Sequence, residues 1–113
     1  MTAETLDTLR RDMTAAILEA DKARTNAGLL YSKFIWAAIA IANIAADGET
    51  PDESRVTRYI VARATYAEAA HDSALADERR DRAIAAFNRA KADAESARIA
   101  ANIADERRLQ EGR

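Results

Sequence analysis

Ala46-Asp47-Gly48-Glu49-Thr50-Pro51-Asp52-Glu53-Ser54, or ADGETPDES, is the one place in this 113-residue chain where turn-forming residues gather. Almost wholly apolar sequence precedes it, LLYSKFIWAAIAIANIAA at 29–46, and no Gly or Pro follows it until Gly112. Each residue type in the stretch suits a bend between two helices. Gly48 is the type that ends a helix in the left-handed conformation. Thr50 is a good N-cap and Pro51 suits the first helical position. Glu53, three residues after Thr50, completes a capping box, and with Asp52 it faces the positive end of the helix dipole. An acidic cation loop is the rival reading, but an EF-hand needs alternating ligands over about twelve residues and a closing bidentate Glu, which the stretch lacks.

The Ala46-Asp47-Gly48 step after an apolar helix resembles the tellurite-resistance TerB-like helical proteins. Glu49 stands where an apolar residue is expected in that resemblance, so no function is carried over from it.

On the N-terminal side of the bend, a spacing of three and four residues runs through Leu6, Leu9, Met13, Ala16, Ala20, Ala23, Ala27, Leu30, Phe34, Ala37, Ile41 and Ile44, all apolar. That period is the signature of a helix packed lengthwise on another helix. The phase survives Asn26-Ala27-Gly28, and an interior Gly costs a helix only about 1 kcal/mol, so one helix over about 3–46 is expected. A break near Gly28 is the alternative, and it would give a single-chain bundle of three or four helices. On the C-terminal side the main stripe is Tyr59, Ala62, Tyr66, Ala69, Ser73, Ala76, Arg80, Ala83, Phe87, Ala90, Ala94, Ala97, Ala101 and Ala104. It predicts a second helix over about 51–108, with 109–113 a frayed tail. The segment ADERR occurs at 76–80 and again at 104–108, four heptads apart, which keeps the same face. Residues 1–113 therefore read as one all-α domain, a long antiparallel helical hairpin.

Composition agrees, with 32% charged and 5% aromatic residues, three Gly and one Pro. Of the 49% that is hydrophobic, 29 residues are Ala, and nine of the larger side chains crowd between Leu29 and Ile44. Around that segment Ile35, Trp36 and Ile39 point away from the seam of Phe34, Ile41 and Ile44, so the helix is apolar all round and calls for several neighbours. The second helix has a second, mainly apolar stripe through Val56, Ile60, Ala67, His71, Ala74 and Leu75, then Ala85, Ala92, Ile99 and Ile103. One hairpin supplies one neighbour. The expectation is therefore a bundle formed by dimerisation, with Leu30, Phe34, Ile35, Trp36, Ile39, Ile41 and Ile44 as the self-association core.

A net charge of -2 and a pI near 5.4 argue against a nucleic-acid partner, which would select a basic face. The absence of Cys suits a reducing, cytoplasmic compartment. The N-terminal stretch, with its acids and no apolar core, does not read as a signal peptide. The uninterrupted apolar run from Phe34 to Ala42, bracketed by Lys33 and Asn43, is short of the roughly 20 residues of a membrane span, so no membrane partner is expected.

Glu68-Ala69-Ala70-His71 has the Glu-x-x-His spacing of helix-bundle di-iron sites. The hairpin register puts no acid of the first helix beside it, so His71 reads as a partly buried helix residue and Glu68 as a solvated neighbour. Tyr59, Tyr66 and Phe87 fall on the seam and read as packing residues, while Arg55, Arg58 and Arg63 do not fall on one face. With no catalytic set, phosphate loop, metal site or cofactor motif, the reading is a non-enzymatic helical protein that self-associates and binds another protein through helix faces. Arg79, Arg80 and Arg82, beside Asp77, Glu78 and Asp81, form the candidate partner surface. The composition permits a small phage or mobile-element inhibitor of a host enzyme. The alternative is a helical-bundle protein that holds a metal or small ligand.

Overall fold

The computed structural model describes residues 3–112, which form two helices and no strands. Helix α1 spans Ala3–Ala46 and helix α2 spans Glu53–Glu111. They pack against each other as a hairpin measuring 96 × 22 × 13 Å.

Helix α1 is continuous through Gly28, which overturns the alternative of a single-chain bundle broken there. The flanking stretch carries good helix formers, and its seam residues Ala27 and Leu30 keep their place against α2, enough to offset one flexible residue. A Cβ built at Gly28 meets nothing within 4 Å. Gly28→Ala is therefore expected to stabilise the hairpin by about 0.5–1 kcal/mol. A rise in the urea midpoint of the helical circular-dichroism signal would show it, whereas a fall would mean that the chain needs the glycine to bend.

The bend closes α1 as the sequence predicts. Gly48 takes φ 79. The Gly48 N–H donates to the Ala45 carbonyl at 3.0 Å and the Glu49 N–H to the Ile44 carbonyl at 3.1 Å, the paired pattern of a Schellman motif. The start of α2 differs from expectation by two residues. Asp52, not Thr50, is the N-cap, and its Oδ1 accepts from the Arg55 backbone N–H at 3.0 Å. A carboxylate makes a charge-assisted bond there that a threonine hydroxyl cannot, and Thr50 and Pro51 become loop. Asp52→Ala should cost about 1 kcal/mol of stability, measurable by the same urea titration, while Thr50→Ala should change little. At the far end α2 continues to Glu111, beyond the expected residue 108. Residue 113 of the expected tail lies outside the described residues.

The seam follows the heptad pattern closely. All twelve α1 stripe positions, from Leu6 to Ile44, are half-buried or buried, as are the first eleven of α2, from Tyr59 to Ala94. Small residues hold its middle: Ala20, Ala69, Ala76 and Ala90 are the buried residues among those described. Cross-helix contacts fix the register. Arg24 reaches Asp77 at 3.3 Å, Arg79 reaches Glu19 at 3.0 Å, and the Arg10 guanidinium lies 5.6 Å from the Phe87 ring centre. With Arg10 opposite Phe87, α1 runs out near residue 94 of α2. Residues 95–111 extend beyond it with no helix beside them among the described residues, and Ala97, Ala101 and Ala104 are exposed for that reason.

The result is a rod without a deep core. Its radius of gyration is 26.4 Å, against about 13 Å for a compact chain of this length. Its accessible surface is 8668 Å², where a folded monomer of this mass exposes about 6,100 Å².

Candidate protein-interaction surface

At the bend end, the hairpin is joined by a cluster of four aromatic side chains. Phe34 lies 5.6 Å from Tyr59 and 5.9 Å from Tyr66, and Tyr31 lies 5.2 Å from Tyr66. Aromatic pairs at such separations contribute about 0.5–1.5 kcal/mol beyond the area they bury. Tyr59 and Tyr66 thus occupy the packing positions that their heptad placement predicts, as does Phe87 beneath Arg10.

The self-association residues divide into two groups. Leu30, Phe34, Ile41 and Ile44 are half-buried in the chain's own seam, and Ile35 flanks it. Trp36 and Ile39 face outward, 71% and 42% exposed. None of the most apolar stretch of α1 is buried, and α1 is long and apolar enough to cross a membrane by length and composition.

Beside the seam lies a groove of about 820 Å³. Leu30, Trp36, Ala37 and Val61 make its apolar walls, while Lys33 of α1 and Arg55 and Arg58 of α2 add positive charge. No acid lines it, and these three cations form no ion pair among the described residues. Arg55 and Arg58 share this face and Arg63 is not among its lining residues, so the three arginines do not line up together, as the sequence reading has it. The missed signal was Lys33, which only the pairing of the two helices brings next to Arg55 and Arg58. A shallower depression of about 370 Å³ on α1 is bordered by Leu18 and Leu29, both exposed.

The arginines at mid-rod serve mainly the chain itself. Arg79 pairs with Glu19 of α1, and Arg80 lies 3.2 Å from Asp77 and 3.1 Å from Asp81. Arg82 keeps a 79% exposed side chain and reaches only Glu78, one turn away at 3.6 Å. Exposed pairs of this kind contribute between 0 and about 1 kcal/mol each, and of these only the Arg79–Glu19 pair joins the two helices.

His71 is exposed, not partly buried as its stripe position suggested, because that second stripe of α2 has no helix over it. Glu68 is exposed as well. Among the described residues no group of three or more His, Cys, Asp or Glu is placed to hold a metal ion. The chemistry this surface offers is that of an apolar groove edged by cations and of unpaired helix faces, suited to burial against another helix. No protein-family model, curated protein or solved structure matches the chain.

Proposed function

We propose that this protein is a non-enzymatic interaction module that self-associates through the apolar flank at its bend end and binds another protein through its helix faces. One observation carries the reading: the outward flank of the most apolar stretch of α1, with Trp36 and Ile39, stays exposed after the hairpin has formed. Contiguous apolar surface of this kind marks an interaction site. The surface in excess of a typical monomer, about 2,500 Å² per chain, is larger than the roughly 800 Å² per partner that a standard interface buries.

Trp36 is the only tryptophan of the chain and stands on this flank, so its fluorescence reports the assembly directly. Emission is expected to be blue-shifted at micromolar concentration and to move toward that of a hydrated indole on dilution. Emission typical of hydrated indole at every concentration would overturn the reading.

The exposed apolar stretch also favours a second reading, attachment to a lipid bilayer. Against it, Lys33 lies within the stretch, and Arg55, Arg58 and Arg63 on the opposing part of α2 would have to enter the bilayer with it. Charged residues at mid-membrane cost about 2.5–3.5 kcal/mol each, more than the apolar residues there return. Flotation with anionic or neutral vesicles separates the two, and the protein reading expects the chain to stay at the bottom of the gradient with both.

A further inference from the structure

The α2 overhang and the bend-end groove are two unsatisfied surfaces at opposite ends of one rod, and we infer that each fills the other in an antiparallel two-fold dimer. This rests on the self-association proposed above and specifies its geometry: residues 95–111 of one copy lie along the groove walled by Trp36 and Val61 of the other.

Three observations converge, and a symmetry argument joins them. The overhang is 17 residues, about 25 Å long, and the apolar segment from Leu29 to Ile44 is about 24 Å. Ile99 and Ile103 stand 42 residues, six heptads, beyond Thr57 and Val61 of the groove lining. Continued past Ala94, the heptad period that the seam keeps from Tyr59 puts them on the flank of Thr57 and Val61, next to Val56 and Ile60 of the second stripe. A two-fold interface brings like flank against like flank, so an antiparallel pair sets the isoleucines of each copy over the groove of the other. Charge agrees: Lys33, Arg55 and Arg58 are unpaired at the groove, while Glu106 and Glu111 on the overhang form no ion pair among the described residues, against one such cation, Arg107. Finally, the symmetry makes the contact twice, so each docked overhang need supply only half of a standard interface of about 800 Å² per partner.

The native chain has no Cys, which permits a test with single cysteines. Val61→Cys and Ile103→Cys sit at exposed positions and should leave the hairpin folded. Within one chain they are about 63 Å apart. Treated with a short bis-maleimide, each variant alone is expected to yield no covalent dimer, and the two variants unfolded and refolded together are expected to yield one. A covalent dimer from Ile103→Cys alone would mean parallel or tail-to-tail association and would overturn the inference. So would a wild-type protein that is dimeric by mass while the mixture gives no cross-link, although self-association would then survive. A monomeric wild type would remove both. Independently, the double variant Ile99→Asp and Ile103→Asp should keep wild-type helicity and associate at least ten-fold more weakly, and unchanged association would contradict the arrangement.

Discussion

Ile39→Asp is expected to give a chain that still folds into the hairpin but no longer associates, with a dissociation constant raised at least 100-fold. In the single chain Ile39 is 42% exposed, and a charge there meets water at a cost within about 0.5 kcal/mol, as for most surface substitutions. Once the flank is covered by protein, the same carboxylate becomes an unpaired buried charge, which costs about 3–5 kcal/mol. The difference falls on association. Trp36→Ala acts by another route, since removing a large aromatic from a packed interface costs about 3–5 kcal/mol, yet in the lone hairpin the 71% exposed indole has little to lose. Circular dichroism and solution mass, measured together, check both variants. If either leaves mass and melting temperature untouched, these side chains face water in the working protein and the self-association reading fails.

Phe34→Ala should have the largest effect on the hairpin itself, a loss of about 3 kcal/mol. Phe34 is the hub of the ring cluster, near Tyr31 at 6.5 Å, Tyr59 at 5.6 Å and Tyr66 at 5.9 Å. Much of the rest of the seam is alanine, and each buried methylene contributes only about 0.8 kcal/mol, so a ring set against two rings of α2 is a concentrated contact between the helices. Truncation to Ala leaves a void that Tyr59 and Tyr66 cannot both close, at about 3–5 kcal/mol for a fully packed ring; half-burial places Phe34 at the low end. Phe34→Leu should recover more than half of the loss. Urea unfolding followed at a helical wavelength reads both, and a Phe34→Ala loss below about 1 kcal/mol would show that the cluster does not hold the bend end together.

Most of the fold was legible in the sequence because it is written in a single period. Leu6 through Ile44 and Tyr59 through Ala94 lie where their three-and-four spacing puts them, and Gly48 takes the left-handed turn its chemistry favours. The N-cap was misplaced by two residues because Thr50 and Asp52 are both good caps, and the choice depends on where the returning chain meets α1. The exposure of Ala97, Ala101, Ala104 and His71 was hidden for a related reason. A stripe records that a partner helix is wanted, but not whether the same chain is long enough to supply it. The groove escaped for lack of register, since Lys33 joins Arg55 and Arg58 only when α1 and α2 are aligned. Arg79 read as part of a charged partner surface until the pairing of the helices brought Glu19 of α1 within reach of it, whereas the Asp77 beside Arg80 lies on α2 itself and was visible in the sequence.

The central claim, that the bend-end apolar flank is covered by a second copy of the chain, is met most directly by light scattering on the protein in solution at micromolar concentration. A molar mass of twice the 12.4 kDa of one chain, returning to the single-chain value with Ile39→Asp, is the predicted result. A mass of 12.4 kDa at every concentration, with the hairpin's helicity intact, would contradict it.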